Sequence, residues 1–258
     1  LIDFFRLVQN ENMKIYRRMR TWVMAAILVF LTMLFSALFY FGSSLNMIGA
    51  WEAVDQLSFL YYLVTIYSVV VASDIVAGEF TWGTVKLLLI RPWTRTKILV
   101  SKLLAVLLFT VLMTALFLLA CIAVSFLLFP NISSGIFPEG PGAFGMIMED
   151  LLYRYIDLLV ITIFSFMIST VFRSGGIAIG LSMFILFAGG LFTMLFHPLR
   201  YPWAKYMLFV NMDLSKYRGG QIGPAGMTLG FSAAVLGGYV IAFLVIAWLV
   251  FKKRDVAA

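Results

Sequence analysis

Cysteine and histidine are nearly missing: the 258 residues hold one of each, Cys121 and His197. A single cysteine excludes a disulfide framework and any cysteine-based metal cluster. Charge is scarce too, with Asp, Glu, Lys and Arg at 12% against 63% hydrophobic residues. A soluble domain of this length needs far more charge to cover its surface. A mean hydropathy of +1.02 therefore reads as an integral membrane chain, as does the 16% of aromatic residues. The formal charge of +7 raises nucleic acid as a partner. The basic residues, however, flank apolar runs, the pattern of topology signals and of contact with an anionic leaflet, so lipid is expected and nucleic acid is not. Cys121, inside an apolar run, reads as a small core or lipid-facing side chain.

The apolar runs set the architecture. Six are long enough to cross a bilayer: 21–41, 57–77, 98–129, 156–172, 175–196 and 228–251. The third is overlong and is expected to tilt or project; the fourth is the shortest. Residues 1–20 predict an amphipathic helix on the membrane surface, with Phe4, Phe5, Val8, Ile15 and Met19 on one face and Glu11, Lys14, Arg17 and Arg18 largely on the other. The first apolar run is too long for a cleavable signal peptide. The fold class is thus all-α integral membrane: six transmembrane helices in a single domain, an N-terminal interfacial helix and one short helix in the connection 78–97.

Counting Lys and Arg in the flanks orients the chain. Fourteen lie on the side of the N-terminal segment, the second-to-third connection, Arg173 and the tail; five (Arg154, Arg200, Lys205, Lys216, Arg218) lie on the other. Both termini are expected in the cytoplasm of a bacterial cell, on a multi-pass plasma-membrane protein. On the outer side, 130–145 is rich in Pro and Gly and reads as turns. Segment 197–226, with Tyr201, Trp203, Tyr206 and Tyr217, reads as short interfacial or re-entrant helices. Glu149, Asp150, Tyr153, Arg154 and Asp157 recur at helical spacing and form one polar stripe entering the fourth span. Two readings fit it. Either Glu149, Asp150, Arg154 and Asp157 border an outward vestibule for a cationic or amphipathic substrate, or Arg154 pairs with Asp150 and Asp157 and the stripe satisfies itself.

The densest charge lies at 77–102, which holds Glu79, Lys86, Arg91, Arg95, Lys97 and Lys102. Gly78 is read as the stop of the second span, through a left-handed cap. A short helix is then expected from Glu79 to Ile90, with Glu79 and Arg91 placed to suit its dipole, Pro92 ending it and Thr94 capping the next helix. Lys97 and Lys102 are expected at the headgroups where the third span begins. Phe80, Val85, Leu87, Leu88 and Leu89 give that short helix more apolar surface than a solvated loop needs. Such surface rimmed by charge suggests a protein partner; an interfacial helix touching only lipid is the alternative.

Glu79, Gly83, Thr84, Lys86, Leu88, Pro92, Arg95, Ile98 and Lys102 resemble the segment after the second span of type-two ATP-binding-cassette transporter permeases. Residues 11–21 (ENMKIYRRMRT) and 251–255 (FKKRD) resemble that family's ends. The resemblance implies six spans, cytoplasmic termini and a permease dimer, either homo- or heterodimeric. It also implies a coupling helix by which Glu79, Phe80, Gly83, Thr84, Lys86, Leu87, Leu88 and Arg91 dock on each of two ATPase subunits, with Pro92, Arg95 and Lys102 at the entry to the third span. ATP and Mg²⁺ would then sit on the partner ATPase, this chain would carry no cofactor and no catalytic residue, and the expected activity is export of an amphipathic substrate: a peptide antibiotic, a drug or a lipid-like molecule. The run GEFTWGT at 78–84 nearly matches a phosphate-binding loop, but it lacks the Lys and follows a membrane span. Two other classes compete. Glu149-Asp150 followed by Arg154 loosely resembles intramembrane metalloproteases of the CAAX-processing type, whose metal needs convergent His, Asp or Glu ligands that one histidine does not supply. A structural or regulatory membrane subunit would use the same small residues (Gly176 and Gly180, Gly189-Gly190, Gly226 and Gly230, Gly237-Gly238) for close helix contact.

Overall fold

Long proline-free runs of Leu, Ile, Val, Ala and Phe close their own backbone hydrogen bonds, and in a bilayer they must, because no water is there to do it. A computed structural model describes residues 2–42, 48–83, 93–132, 141–172 and 174–253. All regular elements among them are helical. They are α1 (Ile2–Tyr16), α2 (Met19–Gly42), α3 (Ala50–Gln56), a 3₁₀ turn (Leu57–Leu60), α4 (Tyr61–Thr81), α5 (Arg95–Leu128), α6 (Pro141–Val171), α7 (Gly175–Leu195), α8 (Leu208–Asn211) and α9 (Leu229–Lys253). Further 3₁₀ turns at Pro202–Tyr206, Leu214–Gly220 and Pro224–Gly226 flank α8. No described helix carries a proline beyond its first position. Among the described residues six helices are long and apolar enough to span a membrane: α2, α3–α4 taken together, α5, α6, α7 and α9. The chain is an all-α membrane protein.

α4 is the buried centre, packed against α5, α6 and α7; α6 also carries α9, and α1 and α2 lie on α5. Apolar burial gives helices little reason to associate in lipid, so small and hydroxyl residues hold the contacts. The Ser169 hydroxyl of α6 accepts from the backbone N–H groups of Val76 (3.1 Å) and Ala77 (3.0 Å) on α4. The Thr81 hydroxyl accepts from the N–H of Gly175 (3.1 Å) at the start of α7. Ser174 caps α7, as Thr94 caps α5 by accepting from the N–H of Lys97.

Several expected boundaries move. Gly78 does not end the second span: α4 runs through Gly78 and Glu79 to Thr81, and the left-handed residue is Gly83 (φ 68°). Gly78 is instead a contact glycine, because a Cβ there would stand 2.7 Å from Asp74 Oδ1. The expected short helix therefore loses its first turn to α4, and its remainder, 84–90, lies outside the described residues. The fourth span is not short: α6 has 31 residues and carries the whole polar stripe within one continuous helix. α5, with 34 residues, is about 51 Å long against a hydrocarbon thickness of about 30 Å. Segment 197–227 folds into the short helices named above, docked on α6, α7 and α9. A Cβ added at Gly189 would press on Phe209, whereas one added at Gly180, Gly190, Gly230, Gly237 or Gly238 would meet nothing within 4 Å among the described residues, and one at Gly176 only the Ser174 hydroxyl at 4.0 Å.

Candidate functional site

α1 is the amphipathic helix expected, but turned. Leu7, Val8 and Ile15 face inward while Phe5 and Met19 are exposed. Glu11, expected on the polar face, is buried. The cause is Lys102, which sits about two turns into α5 and is only 2% exposed, so it does not reach the headgroups as expected. A buried ammonium must be paired and must spend all three protons. Lys102 Nζ donates to Glu11 Oε2 (2.7 Å), Glu79 Oε1 (3.1 Å) and the Ile75 carbonyl (3.1 Å). Lys14 completes the group, bonding Glu11 Oε1 and Glu79 Oε1 at 2.8 Å each. Partial burial opposes the charge on Lys14, but the carboxylates of Glu11 and Glu79 outweigh it and its pKa lies above the ordinary 10.5. The quartet ties α1, the last turn of α4 and the first turns of α5 into one unit.

A second carboxylate lies one turn earlier on α4. Asp74, buried beneath Gly78 and Gly175, accepts from Arg18 Nη1 and, at 2.8 Å, from Arg20 Nη2 through the same Oδ2. Both arginines belong to the α1–α2 junction, so this pair clamps the N-terminal segment to α4 a second time. Above the two clamps opens a cleft of about 910 Å³, lined by Lys14, Arg17, Arg18, Arg20, Trp82 and Trp93 among others. Neither Glu11 nor Asp74 is among the site residues expected from the sequence. The signal for Asp74 was present, an ionisable side chain inside an apolar span; that for Glu11 was not, because helical periodicity placed it outward.

The other hairpin residues divide. Glu79 and Lys102 are in the quartet, Phe80 is half-buried and Gly83 begins the turn. Thr84, Lys86, Leu87, Leu88, Arg91 and Pro92 lie outside the described residues. Arg95 Nη1 donates to the Lys252 carbonyl of α9 (3.0 Å), and Trp248 Nε1 to the Thr96 hydroxyl (3.1 Å). The α4–α5 connection, α1 and the end of α9 thus share one end of the bundle.

At the opposite end the polar stripe does not act as one group. Glu149 accepts from the Tyr153 hydroxyl (2.9 Å), and Arg154 Nε bonds Asp150 Oδ2 (2.5 Å). Of the self-satisfying arrangement the Arg154–Asp150 pair is present, whereas Arg154 makes no ion pair with Asp157. Asp157 instead accepts from the backbone N–H of Asp213 (3.0 Å), pinning the outer segment, because the 3₁₀ turn at Leu214 is docked across α6. A cavity of about 20 Å³ adjoins Asp150, Arg154 and Cys121, and Asp157 is not among its described walls. His197, exposed, accepts from the N–H of Leu199 in a local turn. Among the described residues no three His, Cys, Asp or Glu side chains gather in a metal-binding group.

The sequence is similar to those of known proteins. The chain is 36% identical over 218 residues to the uncharacterized protein YhcI of Bacillus subtilis, covering 80% of this chain and 69% of that one. It is 30% identical over 218 residues to the uncharacterized membrane protein YdbK of the same organism, covering 83% and 85%. A family model matches residues 21–257, a span that takes in Asp74, Glu79 and Lys102 and begins just after the Arg18–Arg20 junction. By that match the chain belongs to the family described as protein of unknown function DUF2705.

Proposed function

We propose that the chain is the membrane-spanning subunit of an ATP-binding-cassette exporter for an amphipathic substrate, lying in a bacterial plasma membrane with both termini in the cytoplasm. Two copies of a separate ATPase supply ATP and Mg²⁺ chemistry, and a second permease copy completes the transporter. The observation that carries this reading is the mounting of the 84–92 connection. It leaves α4 at Gly83 and enters α5 through the Thr94 cap, and behind it Lys102 ties both helix ends to each other and to α1. A push delivered to those helix ends moves α1, α4 and α5 together. Closure of docked ATPases would then favour one of two packings of the spans, provided that the nucleotide state interacts differently with each.

The test is purification of the native complex from membranes with identification of the bound subunits, followed by ATP-dependent transport in vesicles. An ATPase is expected to copurify with the wild-type chain and to be lost from Leu88→Asp, with the thermal midpoint unchanged. Recovery without any ATPase, or retention of it by that variant, would sink the reading. Glu79→Arg is the poorer probe, because it also breaks the contact with Lys102.

A further inference from the structure

Four cations (Lys14, Arg17, Arg18 and Arg20) and three carboxylates (Glu11, Asp74 and Glu79) line the large cleft, with Lys102 paired beneath it, so these described residues together carry two more positive charges than negative ones. The surplus is localised. Arg17 lines the cleft, is exposed and makes no ion pair among the described residues. Arg20, whose Nη2 is spent on Asp74, keeps a buried Nε without an acceptor. A guanidinium nitrogen in that position calls for an oxygen. We infer that the cleft between the α1–α2 junction and the ends of α4 and α5 is a binding site for the phosphodiester headgroup of an anionic phospholipid. This assignment does not depend on the transport reading.

Three features favour a lipid over an acidic protein segment. The charge-free run Thr21–Gly42 begins one residue after Arg20, so the cations stand within a turn of the hydrocarbon boundary. The lining also includes Trp82 and Trp93, side chains suited to the headgroup layer. Beside the cations, Trp22 and Val23 leave the first turn of α2 exposed and apolar. A volume of about 910 Å³ accommodates a phosphoglycerol group together with the head of its diacyl chain.

The test uses the full chain, delipidated in neutral detergent, with binding followed by native mass spectrometry and by the thermal midpoint. The probes are short-chain phosphatidylglycerol, short-chain phosphatidylcholine, inorganic phosphate and a poly-glutamate peptide. Phosphatidylglycerol is expected to bind at least tenfold more tightly than phosphatidylcholine. Arg17→Gln and Arg20→Gln are each expected to weaken it about fivefold. Arg17→Gln is the decisive variant, since it removes a side chain with no ion-pair partner among the described residues and leaves the clamps intact. Equal binding of the two lipids, full affinity in Arg17→Gln, an equal shift by inorganic phosphate alone, or a preference for poly-glutamate would each overturn the assignment.

Discussion

Lys102 is the residue on which the α1 end of the bundle depends. Removing one partner of a buried ionic group leaves the others charged and unpaired. Lys102→Ala is therefore expected to destabilise the protein by about 3–5 kcal/mol, read as a lowered thermal midpoint in detergent. The charge exchange Glu11→Lys with Lys102→Glu should recover part of that loss. Lys14 contributes differently. Its pKa is raised in the folded state, so its contribution is complete below the ordinary value of 10.5 and lost as pH rises through the raised one. Comparing Lys14→Gln with wild type at neutral pH and in increasingly alkaline buffer should show the two midpoints converging. Gly78→Ala places a methyl against the Asp74 carboxylate and should cost about 1–3 kcal/mol, with the Arg18 and Arg20 clamp loosened. Lys102 was visible in the sequence as part of a charged stretch. Its burial was not, because the carboxylates that make burial tolerable lie 91 and 23 positions away. Asp74 shows the same limit, with partners 56 and 54 positions off.

At the scale of elements, hydropathy located all six spans, since length and apolarity are properties of each run by itself. The helix ends were harder. A glycine after an apolar run reads as a cap, yet Gly78 serves packing, and the left-handed conformation falls to Gly83. The outer segment was expected as short helices because aromatic side chains crowd it, and its anchor is a polar one. Asn211, fully buried, donates to the carbonyls of Lys205 and Met207 and accepts from Ser232, which also meets the Tyr217 hydroxyl. Asn211→Ala leaves these groups unsatisfied, so it should cost about 1–3 kcal/mol and expose 197–227 to limited proteolysis. Asp157→Asn keeps an acceptor for Asp213 and should leave the cleavage pattern unchanged, whereas Asp157→Ala should not.

For the whole molecule, Arg95 and Trp248 stitch the tail of α9 to the head of α5, and the quartet brings α1 to the same end. A periplasm-active reporter fused after Asp255 should accordingly be silent, and so should one fused before α1. Activity at both would invert the orientation, and activity at only one would contradict the shared end. The excess of Lys and Arg on that side was legible residue by residue, whereas the ionic wiring beneath it depends on contacts between segments and was not. That wiring also imposes an order on synthesis. Glu11 and Glu79 leave the ribosome before Lys102, so a nascent chain halted ahead of α5 holds two carboxylates against Lys14 alone. The emerging third span brings the missing ammonium and with it the seam between the start of the chain and its first hairpin. A chain arrested before residue 95 should be degraded faster than one arrested after α5, because only the longer one can close its own first joint.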